Sequence, residues 1–86
     1  MKTFKDLEFK PHSMGDGIMS RLSFDNRYGV SVVRTSFTYG GKEGLYELAV
    51  LDTQGNLTYD TPVTNDVIGY LSEDEVSDIM EQVQKL

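Results

Sequence analysis

The chain has 86 residues, 14 acidic side chains against 8 basic ones, and a formal net charge of −6. That length admits a single domain, residues 1–86, with a small core, and a hydrophobic share of 38% argues against wholesale disorder. The absence of cysteine excludes disulfides, thiolate nucleophiles and cysteine-based zinc sites, and the charges spread through residues 1–8 leave no signal-peptide run or membrane span, so a cytoplasmic setting is expected.

In chain order, residues 3–9 alternate Thr3, Lys5, Leu7 and Phe9 against Phe4, Asp6 and Glu8, which predicts a short edge strand ended by Pro11. Residues 12–17, with His12, Asp16 and two glycines, have a loop composition. Residues 18–25 set Ile18, Leu22 and Phe24 on one face against Arg21, Ser23 and Asp25, as a half-buried strand requires. Turn chemistry over residues 25–29 joins it to a second strand, 30–37, rich in β-branched and aromatic side chains. Gly40, Gly41 and Gly44 predict a flexible connection over residues 38–44. Residues 45–51 are nearly continuously apolar, the pattern of a central strand covered on both faces. A tight turn over 52–56, with Gly55 left-handed, returns the chain as a strand over 57–60 that Pro62 stops. Thr64, Asn65 and Asp66 predict a helix start that lasts about one turn before Gly69 breaks it.

The strongest signal is last. Ser72 and Glu75 have the spacing of a capping box, and Leu71 and Val76 that of a hydrophobic staple. Val76, Ile79, Met80, Val83 and Leu86 then recur at three- and four-residue steps, so residues 72–84 predict an amphipathic helix whose stripe needs a sheet to cover it. The expected fold is α+β: an antiparallel meander of four to five strands with the C-terminal helix packed on one face.

Charge is unevenly divided along the chain. Residues 1–42 carry seven Lys/Arg and four Asp/Glu, a net of +3, and residues 43–86 carry one Lys and ten Asp/Glu, a net of −9. Asp74, Asp78 and Glu81 form the outer ridge of the predicted helix, and their two like-charged neighbour pairs each cost about 0.2–0.5 kcal/mol on an exposed helix. A surface kept for a basic partner accounts for that cost. The favourable interaction of first-turn acids with the helix dipole also explains Glu73, Asp74 and Glu75 without any partner. Among five tyrosines, Tyr28 and Tyr39 fall in or beside predicted loops and are the contact candidates, whereas Tyr46 and Tyr59 on adjacent strands are expected to pack. Arg21, Arg27 and Arg34 with these rings form a conceivable single-stranded nucleic-acid platform, which a pI near 4.5 disfavours.

No chemistry is spelled out. A single histidine, His12, excludes multi-histidine metal sites and no strained nucleophile turn accompanies it; residues 52–56 lack the acidic ligands of a calcium loop, and Gly40-Gly41-Lys42 lacks the Ser/Thr of a phosphate loop. The chain is therefore expected to be non-enzymatic, to need no cofactor or metal, and to bind a protein with a basic surface through Asp74, Asp78, Glu81, Tyr28 and Tyr39. The alternatives are a structural or oligomeric component and a single-stranded nucleic-acid binder using Arg21, Arg27 and Arg34.

Three stretches carry a family likeness: Phe24-Asp25-Asn26-Arg27-Tyr28-Gly29-Val30-Ser31-Val32-Val33-Arg34, Gly44-Leu45-Tyr46-Glu47-Leu48-Ala49-Val50-Leu51 and Tyr59-Asp60-Thr61-Pro62-Val63-Thr64-Asn65-Asp66-Val67-Ile68-Gly69. From Ile18 onward the chain resembles a family of small proteins of bacteriophage and prophage genomes, whose pattern carries Gly where this chain has Arg27. The resemblance implies a phage setting, in which small acidic proteins act as accessory factors or inhibitors of a host or phage protein; it implies no catalytic residues.

Overall fold

A computed structural model describes residues 1–12 and 16–86. Its elements are β1 (Lys10–Pro11), β2 (Ile18–Ser23), β3 (Gly29–Arg34), β4 (Tyr46–Leu51), β5 (Leu57–Thr58), β6 (Ile68–Leu71) and the helix α1 (Glu73–Gln84). Every strand pairing is antiparallel, in the order β1-β2-β3-β4-β5, with β6 also on β4. Directly paired residues share a face. Leu22, Val30 and Val50 are thus aligned on one side with Ser20, Val32 and Leu48, while Arg21, Ser31 and Ala49 point the other way. α1 lies on the first side, where Val76, Ile79, Met80 and Val83 join Val30, Val32, Leu48 and Val50 in one buried cluster. Each such side chain fully buried stabilises by about 1.5–3 kcal/mol, so this stripe holds the helix down. The α+β meander with its packed C-terminal helix is the expected one; Leu86, however, is left exposed at the end of the stripe.

The edge of β4 departs from a simple meander. Thr58 pairs with Val50 and Ile68 pairs with Leu48, so β5 and β6 form one edge line, interrupted opposite Ala49 by the nine residues 59–67. The sequence predicts a helical turn here. Instead, the Asp66 carboxylate accepts from the Val67 N–H at 2.7 Å and the Thr64 hydroxyl from the Asp66 N–H at 3.0 Å, so side chains close the segment as turns and free the next residues to pair with β4. Within β6 the step from Ile68 to Leu71 spans three residues against two from Leu48 to Tyr46, a bulge.

Three further expectations are corrected. The strand expected over 3–9 is a 3-10 turn (Phe4–Asp6), because the Thr3 N–H donates to the Asp6 carboxylate at 2.8 Å and Phe4 and Phe9 turn their rings onto Tyr46, at 5.1 and 5.5 Å between centroids. The strand proper is β1, which keeps Pro11 at the sheet margin. The second predicted strand stops at Arg34 rather than at 37, because Thr35 and Thr38 cap the backbone themselves: the Thr35 N–H donates to the Thr38 hydroxyl and the Phe37 N–H to the Thr35 hydroxyl, each at 3.0 Å. The glycine-rich connection contains a 3-10 turn (Gly41–Glu43), and a side chain at Gly41 would put its Cβ 1.7 Å from the Thr35 carbonyl oxygen. Glycine is needed there for close packing, not for looseness. Of the loop expected over 12–17, residues 13–15 lie outside the described residues.

Both ends of α1 are tied to the rest of the chain. At the start, Ser72 and Glu75 complete the expected capping box, the Glu75 N–H donating to the Ser72 hydroxyl at 3.2 Å and the Ser72 N–H to the Glu75 carboxylate at 3.0 Å. At the far end, the Gln84 amide exchanges two 2.8 Å bonds with the Lys2 backbone, and the Asn26 amide donates to the Val83 carbonyl at 2.9 Å. The hairpin turn that carries Tyr28 therefore sits by the C-terminal end of α1, and Leu71, the last residue of β6, by its N-terminal end.

Candidate functional site: an aromatic tip beside an acidic helix face

The acidic ridge is where the heptad-like spacing places it. Asp74, Asp78 and Glu81 are all exposed on the side of α1 opposite its buried stripe, and the ridge runs about 10 Å along the helix. Lys85 approaches Glu81 at 3.7 Å; among the described residues no cation pairs with Asp74 or Asp78. Glu73 and Glu75 add two more exposed carboxylates to the first turn. The hydrogen bonds from Ser72, its backbone N–H foremost, hold the Glu75 carboxyl below the usual glutamate range.

The contact tyrosines do not come together. Tyr28 is half-buried and packs against the core at one end of α1. Tyr39 lies toward the other end, 60% exposed, in a stack with Tyr70 whose ring centre is 6.4 Å away. Tyr46 is buried as expected, its hydroxyl accepting from the Arg34 guanidinium at 3.2 Å while that guanidinium lies 5.1 Å over the ring centre. Tyr59, expected to pack, is instead exposed beyond β5.

Two residues that the sequence reading passed over complete the site. Phe37 is 92% exposed, at the apex of the turn locked by Thr35 and Thr38; the Asp16 carboxylate accepts from both the backbone N–H and the hydroxyl of Ser36 beside it. Tyr70 is 57% exposed and is the bulged residue of β6, with φ of 57° in the left-handed region that a bulky side chain rarely occupies. Its N–H donates to the Tyr39 carbonyl at 3.1 Å, and a Cβ on Gly69 would fall 2.3 Å from that of Tyr39. The Tyr39 N–H in turn donates to the Glu47 carboxylate at 2.8 Å. The fold thus holds an unfavourable backbone conformation so that a ring faces outward, the kind of strain that collects at recognition sites. The readable signal was Gly69 within an otherwise apolar run, which marks a bulge.

Tyr70 stands three and four residues before Glu73 and Asp74, so the aromatic tip and the acidic ridge are contiguous around the N-terminal end of α1. Burying an exposed phenylalanine such as Phe37 in a complex gains about 1.5–3 kcal/mol, which the isolated chain leaves unrealised. The tip also borders a cleft of about 270 Å³ walled by Ser36, Thr38, Lys42, Glu43 and Tyr70. A larger cleft, about 540 Å³, opens at the opposite end between the N-terminal residues and the β2–β3 turn. Three of its polar side chains are engaged in structure, Asp6 with Thr3, Gln84 with Lys2 and Asn26 with Val83, and it lies at the end of α1 away from the stacked tyrosines.

The basic residues of the nucleic-acid reading are dispersed. Arg21 lies on the sheet side away from α1, Arg34 on the helix side stacked on Tyr46, and Arg27 at the tip of the β2–β3 turn. Among the described residues no group of three or more His, Asp or Glu side chains is arranged to hold a metal ion, and no helix is long and apolar enough to cross a membrane. Compared with known proteins, the chain matches no family model, no curated protein and no solved structure.

Proposed function

We propose that this chain is a small non-enzymatic binding module that presents the acidic face of α1 and the adjoining aromatic tip to a partner protein with a basic surface. The observation that carries the reading is the contiguity of Tyr39 and Tyr70, stacked and exposed, with the carboxylates of Asp74 and Asp78, which no cation pairs among the described residues. Aromatic anchors beside a single-sign charged face are the composition of a recognition surface, the charge supplying steering and selectivity and the rings the buried area. Tyr28, held against the core at the other end of the helix, stays outside this surface. In the phage setting suggested by the family likeness, such a module acts in the bacterial cytoplasm as an accessory factor that occupies, or inhibits, a basic site on a host or phage protein.

The test is capture from bacterial lysate on the immobilised chain, beside the folded triple variant Asp74→Lys/Asp78→Lys/Glu81→Lys. The expected result is a partner of basic surface that the parent chain retains, that the variant loses, and that elutes as salt shortens the Debye length to about 4 Å near 0.5 M. Undiminished retention by the folded variant overturns the acidic-face reading. A second copy of the chain is the alternative partner, favoured by Leu57 and Tyr59, both exposed at the outer edge beside β4. Light scattering decides it, since a monomer has a mass of 9.7 kDa.

A further inference from the structure

We propose that the aromatic tip is a docking platform for an arginine side chain in an extended segment of the partner protein, with the guanidinium stacked on Tyr70 and Tyr39 and its charge met by Glu43, Glu73 and Asp74. The inference rests on the binding-module reading above and gives it a recognition chemistry. The backbone beneath both rings is held in place. The main chain at Tyr70 is set by the bulge in β6 and by its N–H bond to the Tyr39 carbonyl, and that at Tyr39 by its N–H bond to the Glu47 carboxylate, so the two rings are presented side by side. The cleft beside Tyr70, at about 270 Å³, lies below the range of about 300–1,000 Å³ typical of small-molecule sites and suits one long side chain better than a whole ligand.

The charge around the rings chooses a cation. Glu43 borders the cleft, Glu73 and Asp74 lie three and four residues after Tyr70 in the first turn of α1, and the three first-turn acids of α1 outweigh the partial positive charge of its N-terminus. An anionic phosphate or a nucleic acid would meet these carboxylates at close range. Arginine is favoured over lysine because a planar, weakly hydrated guanidinium stacks on a tyrosine face, whereas an ammonium keeps its water. The same molecule already makes that pairing once, in Arg34 over Tyr46. Lys42 borders the cleft too, so it opposes a cationic ligand and would assist an anionic one. It therefore reports the sign of the ligand. Phe37, exposed on the turn whose Ser36 and Thr38 wall the cleft, offers apolar surface to the residues that flank the arginine.

The experiment is an amide-resolved NMR titration of the full chain with four defined probes: a blocked decapeptide with arginines on a Gly/Ser/Pro background, its lysine and citrulline counterparts, and a dT dodecamer. The expected result is saturable shifts at Phe37, Tyr39, Gly40 and Tyr70 with the arginine peptide, affinity at least fivefold weaker for lysine, and none for citrulline. Tyr70→Gly is the decisive variant, because glycine accepts the φ of 57° at this position without strain. It is expected to leave the melting temperature unchanged or higher while weakening the arginine peptide tenfold or more, which a purely structural tyrosine would not do. Lys42→Ala is expected to tighten binding about twofold.

The proposal is overturned by an absence of shifts at Tyr39 and Tyr70 at millimolar peptide, or by binding of the dT dodecamer at those residues. Weaker binding in Lys42→Ala, which indicates an anionic ligand, overturns it as well. Equal affinity for the arginine and lysine peptides, unaffected by Tyr70→Gly but abolished by Asp74→Lys/Asp78→Lys/Glu81→Lys, overturns the platform and leaves the acidic-face reading standing.

Discussion

Two turns of the same construction carry different residues at their strained position. In each, a three-residue loop closes with an i to i+3 bond: the Arg27 N–H to the Phe24 carbonyl at 2.9 Å and the Gly55 N–H to the Asp52 carbonyl at 3.0 Å. Each needs a left-handed residue, and φ is 83° at Gly55 but 72° at Arg27. A left-handed L-residue costs about 1–2 kcal/mol, and the extra chain entropy of glycine returns about half of that, so Arg27→Gly is expected to stabilise by about 0.5–1 kcal/mol in urea denaturation. Glu75 gives a residue-scale prediction in pH. Its folded carboxyl titrates below the ordinary value of 4.5, so its stabilising contribution is complete above that value and is lost as pH falls through the lowered one. Melting curves of the parent and Glu75→Gln should therefore differ by a constant amount at neutral pH and converge below pH 4.5. A gap that widens on acidification contradicts the capping-box account.

At the scale of elements, α1 shows how a single amphipathic pattern does two tasks. The apolar stripe roots the helix on β3, β4 and β6, and the opposite face is left free to carry charge. Met80 is fully buried at the centre of that stripe, so Met80→Ala is expected to cost about 2–5 kcal/mol, read as a lower denaturant midpoint at unchanged slope. β6 shows the converse. Its residues have too little regular pattern to declare a strand, and it forms because the outer edge of the first half of β4 is open to be paired. Once paired, the bulge at Tyr70 converts a strand residue into an outward-facing contact.

For the whole molecule, stability should be graded from the sheet centre outward. β3 and β4 are paired on both sides and largely buried, whereas residues 59–67 sit between two paired strands yet are closed by side-chain bonds of the half-buried Thr58, Thr61 and Thr64 and the exposed Asp66. Hydrogen exchange is expected to be slowest at Val32, Leu48 and Val50 and fast throughout 59–67, even though the flanking strands are protected. Uniform protection across that segment would mean that it is packed as tightly as the sheet. The same grading places the aromatic tip and the helix N-terminus on the better-held side, around the β4–β6 pairing.

Local signals were legible wherever the physics is local. The capping box of Ser72 and Glu75, the stripe of Val76, Ile79, Met80 and Val83, the turn at Gly55 and the apolar run that becomes β4 each depend on neighbours within a few residues, and the sequence alone determined them, together with the α+β class and the exposed ridge of Asp74, Asp78 and Glu81. Only the tertiary structure decided that Phe4 and Phe9 would leave a strand-like pattern to reach Tyr46, that residues 59–67 would be extruded opposite Ala49, and that Tyr39 would meet Tyr70 from 31 positions away in the chain. Those outcomes depend on which strand edge and which ring are available in space, and periodicity along a chain carries no information about either.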